Sequence, residues 1–385
     1  MKEYITIKNF GPLQNIEDFE IKPFTFLIGE SASGKSTMMK VLAMMRYLYK
    51  MANIRSYLYR SKITKSPFRI RLDSMLKRQG MTKMFTKESY IAYCVQIEDG
   101  RKYEVRIENG NLKKSEIIEE KHLSFSKISY ISENRNIIPT WAQTSWKNKG
   151  ATLGFYFHET NEDFGKASEG DKELLMNYVG MKMMITHPKG KPVRYQIVPT
   201  DNHHAPIELT EASSGIQTSA PLALIVNYLA RDFSFKEAFN RSVMSYLYET
   251  DNLSKFKAVT EPTSLPKMID IHIEEPELSL FPDAQCRLIE TLLYTALHSS
   301  NDRSINIMLA THSPYILNYL NVVLNQTKKG RVKLNDENTA VYCVHDGTTM
   351  NLLMKDDKGR NVVDTLDLTE TMSAIFNEYD ELTHD

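Results

Sequence analysis

The chain has 385 residues, with 48 Lys and Arg balanced by 48 Asp and Glu, so a uniformly basic nucleic-acid coat is excluded. Its 42% hydrophobic content is enough to bury a sizeable core, as one large α/β domain with a satellite lobe or as two modest domains. Cys94, Cys286 and Cys343 form no C-x-x-C pair and no apolar run reaches membrane-span length, so a reducing, cytoplasmic location without membrane insertion is expected.

In chain order, Tyr4–Lys8 and Pro23–Ile28 read as strands joined by the turn-rich Asn9-Phe10-Gly11-Pro12. The segment Gly29-Glu30-Ser31-Ala32-Ser33-Gly34-Lys35-Ser36 then matches G-x-x-x-x-G-K-S in full. A strand ahead of it and a helix behind it, through Thr37 and Met38–Tyr49, are the context that phosphate binding needs. Small residues let backbone N–H groups curl around phosphates, and the helix N-terminus adds a favourable dipole. Lys35 is placed to reach the β- and γ-phosphates and the Ser36 hydroxyl to ligate Mg²⁺, so residues Gly29 to Thr37 form the expected ATP cradle.

Residues 46–87 hold twelve Lys and Arg and one acid, Asp73, interleaved with Tyr47, Tyr49, Tyr57, Tyr59, Phe68 and Phe85. Two readings stand: a strip that binds DNA or RNA phosphates with stacking aromatics, or a solvated face that pairs with the acidic tail or a partner. Tyr90–Ile107 alternates around a Glu98-Asp99-Gly100 hairpin turn, and Ile128–Ile131 reads as a core strand. A helix is expected around Lys172–Met183, a strand at Val193–Val198, and a turn at His203-His204. Glu211-Ala212-Ser213-Ser214-Gly215-Ile216-Gln217 opens a helix over about 216–230, with Ser214 as its N-cap or as part of a second phosphate-binding helix terminus. Residues 232–265 are polar and partly helical.

Met268–Ile273 is a core strand ending in Glu274-Glu275, and successive strand side chains face opposite ways, so the two acids take different roles. Glu274 is the candidate for holding Mg²⁺ and Glu275 for polarising the attacking water. Helix Asp283–His298, strand Ile305–Ala310, helix Tyr315–Val323 and strands near Ala340–Val344 and Met350–Met354 follow. The strand at Ile305–Ala310 ends in Thr311-His312-Ser313-Pro314, and His312 is thereby placed where ligands bind in open α/β sheets. Asp356-Asp357 and Asp364 with Asp367 read as solvated charges, and the last 25 residues carry seven acids and no Lys or Arg. Strands alternating with helices imply a mainly parallel sheet covered on both faces.

The order of these motifs resembles the ABC-type ATPases of the SMC, RecF and OLD groups: phosphate loop, Ser-Ser-Gly-x-Gln, Ile273-Glu274-Glu275-Pro276-Glu277-Leu278, then Ala310-Thr311-His312-Ser313-Pro314. Ile7-Lys8-Asn9-Phe10-Gly11-Pro12 and Tyr130-Ile131-Ser132-Glu133-Asn134-Arg135 look like that family's N-terminal and mid-domain strands, while Ile216 replaces the second signature glycine. The resemblance implies an α/β P-loop NTPase head with a mainly parallel core sheet, an antiparallel β subdomain and a helical lobe. It implies a single ABC-type domain over 1–385, with a basic lobe at about 46–127, a mixed lobe at 136–206, an insertion at 232–265 and a C-terminal tail at 326–385. It also implies a head-to-head dimer in which Ser214 and Gly215 contact the γ-phosphate in trans, while Glu275 and His312 act in cis.

No sustained heptads separate Thr37 from Ser213, and the 73 residues after His312 are too few for a Toprim-type nuclease domain. The chain therefore resembles the stand-alone ATPase subunits of bacterial anti-phage systems such as Septu, PARIS and ATPase-bearing retrons, which implies a separately encoded effector. A RecF-like repair ATPase and a nucleotide-locked scaffold that does not turn over are the alternatives.

Overall fold

The structure is a computed structural model that describes all residues except 64–69, 144–153, 171, 202–204, 245–246, 249–251, 259–263, 329 and 384–385. The expected turn at His203-His204 lies outside the described residues.

The chain opens on β1 (Lys2–Phe10) and β2 (Leu13–Ile21), an antiparallel pair, before β3 (Phe24–Ile28) enters the core. Helix α1 (Lys35–Arg60) and α2 (Leu72–Arg78) follow. Strands β4 (Tyr90–Gln96), β5 (Lys102–Glu108) and β6 (Asn111–Leu112) return to the first pair and build a sheet ordered β2-β1-β4-β5-β6. Then come β7 (Phe125–Ile131), α3 (Ile138–Gln143) and α4 (Phe155–Ala167). Strands β8 (Lys172–Met176), β9 (Met181–Thr186), β10 (Arg194–Pro199) and β11 (Ile207–Glu208) make a small antiparallel sheet. Helices α5 (Ser214–Arg231) and α6 (Phe235–Phe239) lead to β12 (Lys267–Glu274), α7 (Pro282–Leu297), β13 (Ser304–Ala310) and α8 (Pro314–Leu324). The chain ends on β14 (Thr339–His345), β15 (Thr348–Asn351), β16 (Leu353–Lys355), β17 (Asn361–Val363) and α9 (Leu366–Thr383).

The central sheet runs β15-β14-β3-β13-β12-β7. Its neighbours from β14 to β7 are parallel and only the β14–β15 edge pair is antiparallel. Alternation along the strands feeds two cores. Phe24, Phe26 and Ile28 of β3 join Ile269, Ile271 and Ile273 of β12 against α5, α7 and α8. Leu27, Met308 and Ala310 face the other way, against α1 and the antiparallel sheet. On that second face β12 carries Asp270 and His272, which meet the buried Arg46 of α1 at 3.5 and 3.3 Å; Arg46 also donates to Glu3 at 2.9 Å.

One expectation is overturned. Residues 172–186 form the β8–β9 hairpin rather than a helix: Leu174 pairs with Met183 and Met176 with Met181 across a turn closed by Gly180. Residues 13–21, to which the sequence pattern assigns no element, are a strand, with Leu13, Ile16, Phe19 and Ile21 buried.

Among the described residues no helix is long and apolar enough to cross a membrane. The basic stretch is also not one uniform surface. Arg46 is buried, Arg55 donates to Ser115, and Arg60 donates to the Ile118 carbonyl. Lys62, Arg71, Lys77, Arg78, Lys83 and Lys87 face solvent, whereas Lys65 and Arg69 lie outside the described residues.

Candidate functional site

The phosphate loop leaves β3 at Gly29, whose φ of +150° and close approach to β14 admit no side chain: a Cβ there would stand 2.3 Å from the Val344 carbonyl oxygen. Gly34 closes the loop at φ +109°, with Leu13 Cδ2 2.8 Å from where its Cβ would be. Ala32 is also left-handed, at φ +66°. These positions bend the backbone into a cradle, and α1 starts without a side-chain cap, so its first N–H groups remain open to an anion. Lys35 folds back over the loop, donating to the carbonyls of Gly29 and Glu30, both at 2.8 Å. Burial lowers its pKa, opposed by the charge of Glu275. Gly29→Ala is expected to cost at least about 2 kcal/mol, because the clash is with backbone that cannot rotate away; thermal denaturation against wild type measures it.

The acidic pair divides at the strand end, where β12 stops at Glu274 and Glu275 turns into left-handed backbone. Glu274 lies on the α1 side, in line with Asp270 and His272, and is 2% exposed. Its Oε1 accepts from the Tyr130 hydroxyl at 2.7 Å and lies 3.9 Å from Lys40 Nζ. Its Oε2 is buried with no hydrogen-bond partner. The carboxylate of Glu133, just past β7, sits against it, and burial with that neighbour raises the Glu274 pKa. An orphaned carboxylate oxygen beside a second carboxylate fits a hard cation with oxygen ligands. Among the described residues no group of three or more acids, imidazoles or thiols could hold a metal alone.

Glu275 is half-exposed and held at φ +43°, in the left-handed region. Its N–H bonds to the Ala310 carbonyl at 2.8 Å, and its Oε1 lies 3.9 Å from Nε2 of His312. Glu277 clamps the same corner, its Oε1 accepting from the Thr311 hydroxyl and the His312 N–H, both at 2.8 Å. The Thr311 N–H reaches Leu27 O on β3, so the histidine loop and the phosphate-loop strand share one sheet mouth.

The motifs read from the sequence assign no role to Lys40, Tyr130, Glu133, Arg135 or Glu277. Arg135 is wholly buried and donates to four carbonyls: Glu274 at 2.7 Å, Glu275 at 2.5 Å, Thr218 at 3.0 Å and Ser132 at 3.1 Å. Burial lowers its pKa to about 10 against the pull of the surrounding acids, so it stays cationic at neutral pH. Apart from the Ser132 carbonyl three residues back, its contacts are sequence-remote main-chain oxygens, so no local pattern reveals them.

The start of α5 also corrects an expectation. The N-cap is Ser213, without a side-chain hydrogen bond, and Ser214 is the first helical residue. Both serines are exposed. The buried Gly215 packs so tightly against the loop after Glu275 that a Cβ would lie 2.6 Å from the Ser279 carbonyl oxygen. The Thr218 hydroxyl donates to Leu278 O at 2.8 Å, which ties α5 to the acidic loop.

A family model described as an AAA ATPase domain matches residues 1–168 and 155–317. No curated protein matches. Among solved structures, the SMC head domain from Thermotoga maritima is 10% identical, covering 92% of this chain and 99% of that one at a TM-score of 0.37. An Smc head domain with an extended coiled coil, bound to the C-terminal domain of ScpA, from Pyrococcus furiosus is 9% identical, covering 98% and 99% at 0.37. The recombination mediator RecF is 11% identical, covering 91% and 98% at 0.35. Likeness this slight does not bear on activity. The family match spans most of the chain and includes both the phosphate loop and the acidic pair: the protein belongs to the AAA ATPase domain family, and it is an ATPase built on an α/β P-loop fold.

Proposed function

We propose that the protein hydrolyses ATP with Mg²⁺ as a head-to-head dimer, in which each nucleotide is held by the phosphate loop of one chain and capped by the α5 terminus of the other. Lys35 and the loop N–H groups bind the phosphates, Ser36 and Glu274 hold the cation, Glu275 orients and polarises water, and His312 meets the γ-phosphate. The cation, when bound, neutralises charge developing on the phosphates. The observation that carries the dimer is the α5 terminus: an uncapped 18-residue helix presents exposed serines and free N–H groups, as an anion site does. Beside it Phe281 is 79% exposed, an apolar anchor of the kind that interfaces bury.

The dimer reading is tested by mixing two inactive variants. Lys35→Ala loses its own phosphate grip and Ser214→Arg blocks the partner's site. A mixed dimer holds one intact composite site, so an equimolar mixture is expected to recover at least a tenth of wild-type turnover. A mixture no more active than its parts contradicts the trans role of Ser214.

The proposal extends to a regulatory ATPase of an anti-phage complex that controls a separately encoded effector. Its support is the motif order together with α9, an acidic helix that turns Ile375, Phe376, Tyr379 and Leu382 to solvent, each more than half exposed. Such a stripe on a helix end suits a protein partner.

A further inference from the structure

A cavity of about 220 Å³ opens between α1, α2, β7 and α4, away from the phosphate loop. Tyr47, on its α1 wall, lies twelve residues past Lys35, about 18 Å along the helix axis. Phe155 and Tyr156 form an aromatic wall with ring centroids 5.2 Å apart, and the Arg78 guanidinium covers Phe155 at 4.6 Å. One acceptor in this cavity has nothing to accept from: Gln79 Oε1 is buried without a hydrogen-bond partner. Glu159 lines the same cavity, and burial raises its pKa against the pull of the Lys127 and Arg78 charges. Arg78 and Glu159 act on the Tyr47 hydroxyl with opposite sign, so the cavity offers a donor cation and acceptor groups around flat apolar walls.

We infer that this cavity is a second ligand site that takes a nucleobase, a flat heteroaromatic ring with adjoining donor and acceptor edges, and that its occupancy is relayed to the catalytic acids through Tyr130. Stacking on Phe155, with Tyr156 meeting the ring edge at 69°, supplies affinity for any base, while Gln79 and Glu159 accept from ring or exocyclic N–H groups and Arg78 donates to a ring carbonyl or nitrogen. The volume falls below the roughly 300 Å³ at which drug-sized sites begin, which suits a base and not a whole nucleoside triphosphate. The relay is short. The Tyr130 and Tyr156 ring centroids are 4.0 Å apart, and the Tyr130 hydroxyl donates to Glu274. Lys40 Nζ lies 5.5 Å from the Tyr156 centroid and 3.9 Å from Glu274. The relay rests on the proposed role of Glu274; the binding site does not.

The test uses full-length Lys35→Ala protein, which takes the phosphate loop out of play, and adenosine, guanosine, cytidine and uridine as probes in equilibrium binding. At least one nucleoside is expected to saturate the protein below about 1 mM. Gln79→Ala or Glu159→Gln, each checked for an unchanged melting transition, should weaken it at least tenfold. No saturation by any of the four, or binding untouched by both substitutions, overturns the site. On the chain with Lys35 intact, the same nucleoside should change ATP turnover at least twofold, and Tyr130→Phe should remove that response. Binding without any change in turnover overturns the relay and leaves the site standing.

Discussion

Glu275→Gln is expected to lower ATP turnover at least about a hundredfold while leaving ATP bound, because general-base assistance contributes roughly 10²–10⁴ to such reactions. The amide keeps the size of the carboxylate but cannot accept a proton from water. The geometry favours this residue over its neighbour. Glu275 is half-exposed at the mouth of the sheet, 3.9 Å from His312, whereas Glu274 is buried against Tyr130, Lys40 and Glu133. Backbone at φ +43° in a non-glycine residue stores strain that the surroundings must hold in place, as is common where a side chain has to be aimed. Phosphate release under single-turnover conditions measures the loss. Turnover within a few-fold of wild type would move the base to another residue.

The second large effect concerns the residue that holds that strain. Arg135→Met keeps much of the volume and removes every donor, leaving the carbonyls of Glu274 and Glu275 with a buried apolar neighbour. Breaking such a buried, charge-assisted set costs about 3–5 kcal/mol. Arg135 is a positioning residue, so the kinetic signature should be a split: kcat falls at least tenfold as Glu275 relaxes, while the Kd for ATP changes by less, because the phosphate loop is untouched. Arg135→Lys should not rescue kcat, since one ammonium cannot reach four carbonyls on three segments. A parallel loss of ATP affinity and kcat, tracking the melting temperature, would reduce Arg135 to a purely structural part.

What could be read in advance followed from the range of the interactions. The phosphate loop, the acidic pair and the histidine loop are contiguous motifs, each with a strand leading into it, so the layout of residues 24–37, 267–275 and 304–313 was legible in one stretch. The core strands were legible for the same reason. The β8–β9 hairpin was not, because Leu174, Leu175, Met176, Met181, Met183 and Met184 are good helix formers and only cross-strand pairing makes them strands. Strand β2 was hidden by its own irregularity. A register shift opposite Ile5 to Ile7 and a left-handed Asp18 put Leu13, Ile16 and Phe19 three residues apart, which breaks the two-residue alternation of a regular strand. The inward turn of Arg46 depended on Glu3 and Asp270, 43 and 224 positions away, and Arg135 on carbonyls up to 140 residues distant. Charge composition alone made residues 46–87 look like a single surface.

On the proposed reading, one chain leaves the work half done. The cradle and acidic corner gather the groups proposed to bind phosphate and activate water, while the α5 terminus, with its exposed serines, faces outward beside the exposed Phe281. Sedimentation of the Glu275→Gln protein with and without ATP and Mg²⁺ tests this most directly. A shift from 44.4 kDa to twice that mass, only when nucleotide is present and abolished by Ser214→Arg, is the predicted result. A monomer that stays at 44.4 kDa with ATP demonstrably bound would contradict it.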